Sequence, residues 1–351
     1  MSEPYNLGGD DGRRTTDDGW LSDRRRRRAE AVVGRPSSVV SAPILTVTPN
    51  TALDRTVVVP RLTLNRTVRI SDRLISASGK GVDVSRVLRE MDVDTLAMGF
   101  VAGETGRQLQ ALLTADGVPH AFIEAGGETR LNIVVIGAEE HSHTTLADDA
   151  LVVSAAQVQQ LIQHVQGRLG DAACLVLAGS LPKGVSSDLY AQLIHRAHAH
   201  GVPVILDAVA GRHLLETQPT WIKPNREELE VLVGASVRTM HDALAGAQAL
   251  NAQFGVNVLA SLDAQGAIAV TRDGAWRAEP LAVPVVSPAG AGDAMVAGLA
   301  ASLVRGDPIE EGLRLGTAAA AATVMQRGTA QCDRADVLRL LGEVRVKRMT
   351  N

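Results

Sequence analysis

Cys174-Leu175-Val176-Leu177-Ala178 is an unbroken apolar run that passes through Gly179-Ser180-Leu181-Pro182-Lys183-Gly184 into Ser187 to His200, where Leu189, Tyr190, Leu193, Ile194 and Ala197 recur at helical spacing. Val204-Ile205-Leu206-Asp207 is the next short apolar run. A strand with one wet face alternates apolar and polar residues; one that is apolar throughout is buried on both faces, as central parallel strands are. The helix between the two runs supplies the crossover that parallel strands require. The same alternation extends in both directions. Ile44 to Val47 and Val258 to Ser261 read as strands; Val82 to Met91, Thr105 to Asp116, Arg226 to Val233 and Met240 to Phe254 read as helices. The pattern predicts an α/β domain on a doubly wound, mostly parallel sheet, with ligands at the carboxyl ends of its strands.

Two stretches break the alternation. Thr56 to Ile75, with Thr56-Val57-Val58-Val59 and Thr67-Val68-Arg69-Ile70, and Arg130 to Ile136 have strand composition and little helical period. They predict a small sheet projecting from the main domain. Residues 1–42 are different again, with Gly8-Gly9-Asp10-Asp11-Gly12, Asp17-Asp18 and the run Arg24 to Arg28. Such a segment has too little apolar surface to offset its ordering entropy, and a disordered N-terminal tail is expected. Residues 43–345 then form the domain, with the small-sheet strands within about 54–76 and 128–146, and 346–351 reads as a C-terminal tail.

The chain of 351 residues, 45% hydrophobic, suffices for one large domain. At 2% aromatic residues, its core must be built from Ala, Val, Leu and Ile, and base stacking is disfavoured as a mode of action. A net charge of -4 argues for neither nucleic acid nor membrane as partner. Cys174 and Cys332 form no CxxC pair, so neither a zinc site nor a disulfide framework is indicated. No apolar run reaches the ~18 residues of a membrane span and the start lacks a signal-peptide core, so a cytoplasmic location is expected. His195, His198 and His200 fall outside the apolar side of their helix and read as surface residues.

The strongest chemical signal is Ser287-Pro288-Ala289-Gly290-Ala291-Gly292-Asp293, a small-residue loop that opens a helix carrying Met295, Val296, Leu299 and Leu303 on one face. Unpaired amides and the helix dipole make such a start an anion site. A carboxylate there would repel a phosphate unless it has a task, and accepting a proton from an attacking hydroxyl is one; a glycine turn with an Asp cap is the plainer alternative. Ser78-Gly79-Lys80-Gly81-Val82-Asp83 precedes a second helix but is not a Walker loop, since Gly81 follows Lys80. The Gly179–Gly184 loop follows a strand, where ligand loops sit. In Lys223-Pro224-Asn225-Arg226-Glu227-Glu228, Asn225 and Glu228 have the spacing of a capping box.

These segments, in this order, resemble the PfkB carbohydrate kinases of the ribokinase-like group, and within it the branch of 1-phosphofructokinase, tagatose-6-phosphate kinase and the minor 6-phosphofructokinase. The resemblance runs from Ile44 to Leu341 and includes Thr48-Pro49-Asn50-Thr51-Ala52-Leu53-Asp54, Gly79 to Asp83, Thr129-Arg130-Leu131-Asn132, Gly179 to Gly184, Lys223 to Glu228, Ser261 to Ala267 and the signature Gly290 to Asp293. It implies a ribokinase-like sheet flanked by helices with a β-sheet lid, and phosphoryl transfer from ATP to a ketohexose phosphate. By the same resemblance Asp293 is the general base and Gly290, Ala291 and Gly292 offer the anion hole. Asp54, Gly79, Lys80, Asp83 and Ser180 contact the sugar, and Arg130 its phosphate. Asn225 and Glu228 organise Mg²⁺ through water, and Ser261 and Gly266 border the nucleotide. A homodimer through the lid is implied too. A kinase for an unphosphorylated sugar or nucleoside, or a non-catalytic sugar-phosphate-binding relative, are the alternatives.

The chain departs from that branch at several positions. Asp83 replaces the usual Asn, Asp149-Ala150 a Pro-Gly pair, Pro288-Ala289 a Thr-Val pair, Asp263 a Gly, and Ala208-Val209-Ala210 a Thr-Ser-Gly run. A carboxylate at Asp83 can only accept hydrogen bonds, where an amide also donates. Either a nearby cation such as Lys80 neutralises it, or it reads a different sugar.

Overall fold

The computed structural model describes residues 42–349 except 141, 209 and 210, so the tail expected over residues 1–42 and the departures at Val209 and Ala210 lie almost wholly outside the described residues. Along the chain the strands are β1 (Ile44–Thr48), β2 (Ala52–Val59), β3 (Asp72–Ser78), β4 (Thr95–Val101), β5 (His120–Glu124), β6 (Gly126–Gly127), β7 (Arg130–Gly137), β8 (Ser142–Leu146), β9 (Leu151–Val152) and β10 (Cys174–Ala178). They continue with β11 (Val204–Asp207), β12 (Trp221–Ile222), β13 (Asn257–Ser261), β14 (Ala267–Thr271), β15 (Gly274–Ala278) and β16 (Val346–Met349).

Ten of these strands make one sheet, in the order β5-β4-β1-β10-β11-β12-β13-β14-β15-β16. Its first seven members, from β5 to β13, pair in parallel. The last three add on antiparallel. The order reverses at β1, whose neighbours are β4 on one side and β10 on the other. That is the switch point where an open α/β sheet leaves a crevice. Residues 346–351, assigned to a tail by sequence, require correction: Val346–Met349 is the edge strand β16, held against β15 from Val346↔Ala278 to Met349↔Ala275. A four-residue strand with two cations in it carries too little pattern to be seen in advance.

Both faces of the sheet are covered, which is why its strands are apolar throughout. Leu45, Leu175, Leu206 and Val258 face one apolar layer, together with the helices Ala155–Gln166, Asp188–Ala199 and Met240–Phe254. Their chain neighbours Ile44, Val176, Ile205 and Leu259 face the other layer, with helices Lys80–Glu90, Ala291–Arg305 and Ile309–Val324. The second layer is rich in alanine, so backbones approach closely. At the contact of the last two helices a Cβ on Gly298 would fall on the backbone of Gly316.

The lid is a four-stranded sheet in the order β3-β2-β7-β8, with β2 parallel to β7 and the outer pairs antiparallel. Thr67–Ile70, strand-like in composition, is not a strand; β3 begins at Asp72. Val68 instead packs on the small cluster of Val57, Val59 and Val135 and covers one face of the lid.

Gly298→Ala should destabilise the protein by about 1–3 kcal/mol, the cost of overpacking, although alanine is the better helix former by about 1 kcal/mol. Urea denaturation followed by far-UV circular dichroism measures it. A Gly298→Ala chain as stable as the parent would show that the two helices are free to part.

Candidate active site

Three carboxylates and two ammonium groups meet where β11, β12 and the Ala291–Arg305 helix converge. Asp207 ends β11 and is nearly inaccessible, at 1% side-chain exposure. Lys80 Nζ lies 3.0 Å from its Oδ1, and Lys223 Nζ lies 3.5 Å from its Oδ2. Lys80 also approaches Glu228 Oε1 at 3.5 Å. Burial works against the charge on Lys80, but the fields of Asp207, Glu228 and Asp293 outweigh it and raise its pKa. So Lys80 remains a cation. Neither Asp207 nor Lys223 stands out in the sequence. Asp207 is one acid after an apolar strand, and Lys223 belongs to a segment whose capping pattern already explains its neighbours.

Asp293 lies in the first turn of the Ala291–Arg305 helix, which has no side-chain cap. Gly290 takes the N-cap position at φ 85, left-handed backbone that favours glycine, and its open side is filled by the backbone of Ala330. A Cβ on Gly292 would come within 3.2 Å of Lys223 Nζ, so this glycine leaves space beside an ammonium group. Amides without a side-chain cap, of which that of Ala291 makes only a long 3.4 Å bond to Pro288 O, a buried ammonium and a small-residue loop together can cradle phosphate oxygens. Burial, followed by the field of Asp207, pushes the Asp293 carboxyl up to about 7, while Lys80 and Lys223 pull the other way. A carboxyl titrating there can take up a proton near neutral pH.

The other half of the site is polar and incompletely satisfied. Asp54, on β2, accepts from Asn132 Nδ2 at 2.9 Å and from Thr329 Oγ1 at 2.7 Å. Asn50, just after β1, donates to Ser180 Oγ at 3.1 Å, which spans the switch point from β1 to the loop after β10. The carbonyl of Asn50 accepts from Arg130 Nη2 at 3.0 Å. Burial lowers the pKa of Arg130, against the fields of Asp54, Asp149 and Asp148. The buried atoms Asn50 Oδ1, Asn132 Oδ1 and Arg130 Nε find no hydrogen-bond partner among the described residues. Buried polar atoms in a native fold are nearly always paired, so this group has the character of a ligand shell. Asn50, Asn132 and Thr329 are not among the candidates from sequence, because their partners are distant in the chain.

Asp83 is buried in the Lys80–Glu90 helix and accepts from Ser78 Oγ at 3.1 Å and Gly79 N at 3.2 Å. Its cation is Arg86, with Nη1 at 3.5 Å from Oδ1; Lys80 is committed to Asp207 and Glu228. Burial, then the field of Asp293, raises the Asp83 pKa, and Arg86 opposes them. Asn225 and Glu228 form a full capping box, with Glu228 N donating to Asn225 Oδ1 at 2.8 Å and Asn225 N to Glu228 Oε2 at 2.9 Å. Only Glu228 Oε1 is left over, and it faces Lys80. No cluster of three or more His, Cys, Asp or Glu among the described residues could cage a metal ion. The single oxygen left over, Glu228 Oε1, fits contact with a hydrated cation through water rather than direct caging.

The remaining candidates are dispersed. Ser261 pairs with Asn225 in an isolated bridge, its N–H donating to Pro224 O at 3.1 Å. Gly266 closes the turn between β13 and β14, its carbonyl accepting from Leu262 N at 2.8 Å. Asp263, where the resembling branch carries Gly, has φ 50, a left-handed conformation that an Asp tolerates better than most residues. Asp149 is paired to Lys183 at 3.3 Å near the surface.

The model of the pfkB family carbohydrate kinases matches residues 50–336. A 1-phosphofructokinase of Haloferax volcanii is 36% identical over 298 residues, covering 84% of this chain and 95% of its own. A 1-phosphofructokinase of Escherichia coli is 31% identical over 310 residues, covering 87% and 98%. Phosphofructokinase-2 of Escherichia coli superimposes with a TM-score of 0.79 at 28% identity, over 86% of this chain and 99% of that one; it has also been crystallised with fructose-6-phosphate.

An acid whose folded pKa is raised binds its proton more tightly in the native state than in the unfolded one. Its ionisation therefore removes stability as pH rises from the ordinary carboxylate range, about 3.9, through about 7. Asp293→Asn removes that penalty. The gain in Tm over the parent should be larger at pH 8 than at pH 5, read by scanning calorimetry in matched buffers. An equal gain at both would mean that Asp293 titrates as an ordinary carboxylate.

Proposed function

The chain belongs to the pfkB family of carbohydrate kinases, and from that premise we propose that it transfers the γ-phosphoryl group of ATP to a hydroxyl of a ketohexose phosphate, with Asp293 as the base. The observation that carries this reading is the buried Asp293 carboxyl, raised to about 7, at an uncapped helix start flanked by Lys80 and Lys223. Asp54 and Asn132 hold sugar hydroxyls, with Asn50 and Ser180 beside them. Arg130 takes the phosphate already on the sugar, for which its planar fork is suited. A neutral sugar would leave the buried Arg130 Nε without a hydrogen-bond partner among the described residues.

In the reaction, Asp293 accepts the proton of the attacking hydroxyl, whose oxygen forms the new bond to the γ-phosphorus. The bond from that phosphorus to the β–γ bridging oxygen breaks, and ADP leaves with its electron pair. Charge spreads over the transferring group's oxygens, and the amides of Gly290, Ala291 and Gly292, with Lys223 and Lys80, neutralise it where it develops. Glu228, through its remaining Oε1, and Asn225 would hold a hydrated Mg²⁺, which would supply further neutralisation of the phosphate charge. The lid excludes water, which would otherwise compete with the sugar hydroxyl. Turnover of ATP and a phosphorylated sugar suits the cytoplasm, and no helix among the described residues is long and apolar enough to cross a membrane.

An ADP-coupled assay over fructose 1-phosphate, fructose 6-phosphate, tagatose 6-phosphate, fructose and ribose tests the reading. One of the phosphosugars should be the best acceptor, and Asp293→Asn should reduce its turnover by roughly 10²–10⁴-fold, the usual worth of a general base. A parent enzyme indifferent to all three phosphosugars, or an Asp293→Asn chain with parental turnover, would sink it.

The lid supports a second proposal, a homodimer joined lid to lid. Its edge strand β8 is exposed almost throughout and carries Leu146 on the surface. Unpaired sheet edges of this kind are covered by pairing. Light scattering at micromolar concentration should give twice the chain mass; a monomeric mass would rule the pairing out.

A further inference from the structure

Residues 327–331 follow the Ile309–Val324 helix and touch both halves of the site. Thr329 Oγ1 donates to Asp54 Oδ2 on the sugar side. The next residue, Ala330, donates from its N–H to Ala289 O at 3.3 Å and fills the space beside Gly290 on the phosphate side. Arg327 forms an ion pair with Asp72 at the start of β3. Ala330 has φ 47, left-handed backbone that a residue with a Cβ rarely adopts, so the segment needs outside support to hold its shape.

Arg86 supplies that support. Its side chain is 6% exposed, and Nη1 donates to Thr329 O at 2.8 Å and to Ala77 O, on β3 of the lid, at 3.1 Å. The same guanidinium is ion-paired with Asp83 and, through Nε, with Asp116 Oδ2 at 3.5 Å. One buried cation thus ties together the lid strand, the Lys80–Glu90 helix and the loop that contacts Asp54. Both oxygens of Asp54 already accept one hydrogen bond, so its carboxylate cannot turn without losing Thr329 or Asn132.

We propose that Arg86 and Thr329 are positioning residues that fix the Asp54 carboxylate relative to the Gly290–Gly292 loop. Neither needs to touch a substrate; they act through Asp54 and Ala330. The proposal rests on the kinase reading for its consequence in catalysis, since it is there that Asp54 holds the sugar. Its structural content stands apart: cutting the Thr329 bond must loosen β2.

The test uses the full chain and the variants Thr329→Val, Thr329→Ser and Arg86→Lys. Valine keeps the shape of threonine without its hydroxyl; serine keeps the hydroxyl. Thr329→Val should raise KM for the preferred phosphosugar about tenfold, the worth of one hydrogen bond to a charged group, and leave KM for ATP within roughly twofold. Thr329→Ser should restore the parental value, and Arg86→Lys should move KM in the same direction as valine. Amide hydrogen exchange gives a readout without activity: in Thr329→Val, exchange across β2 should accelerate while β10 and β11 are unchanged. Equal shifts in the two KM values, failure of serine to rescue, or unaltered exchange in β2 would overturn the proposal. If the parent phosphorylates none of the sugars, the kinase reading fails, and the exchange experiment still decides whether Thr329 holds β2.

Discussion

A carboxylate as deep in the fold as Asp207 cannot be left alone. Removing an ion from water costs several kcal/mol unless opposite charge replaces the lost hydration, and Asp207 obtains that replacement from Lys80 and Lys223 together. The three residues arrive from β11, from the helix after β3 and from the loop after β12. Their mutual need for charge draws these segments to one point at the carboxyl ends of the strands. Glu228, oriented by its cap, also reaches Lys80, and burial with the fields of Asp207, Lys80, Lys223 and Asp54 shifts the Asp293 carboxyl. Loss of Asp207 would remove the carboxylate with which both ammonium groups are ion-paired.

How much of this can be read from the chain depends on how local each signal is. The central strands and the Gly290–Asp293 helix start are legible because apolar runs and small-residue loops are contiguous. The strands β14 and β15 are hard to see because they follow β13 with no α-helix between to set them apart. Asp54 and Thr329 are separated by 275 positions, and no local pattern joins them. Arg86 is a different case. It stands three residues after Asp83 on one helix, a spacing at which opposite charges meet. The cation that pairs with Asp83 is therefore legible in the sequence, although Lys80 is equally near along the chain.

Capping and catalysis also need not compete for the same residues. Asn225 and Glu228 are used as a capping box, and the capping explains why they are spaced as they are. One carboxylate oxygen of Glu228 remains outside the cap and reaches the ammonium of Lys80. The cap thereby orients an acid that the polar cleft can use. Asp83 shows the same economy: hydrogen bonds from Ser78 and Gly79 secure the start of its helix, while its other oxygen faces Arg86.

The close contact of Gly298 with Gly316 has a mechanical meaning. The helix whose first turn carries Asp293 is seated closely on its neighbour, backbone against backbone with no side chain between. The wall of the cleft that carries Asp293 is therefore tightly backed. The opposite wall is built on β2 and β3, which enter and leave the lid at Ala52 and Ser78. Gly79, at φ 113 immediately after β3, stands at that junction. In the proposed reaction, such a division would let one wall keep its charges in register while the lid side admits the sugar and releases the product.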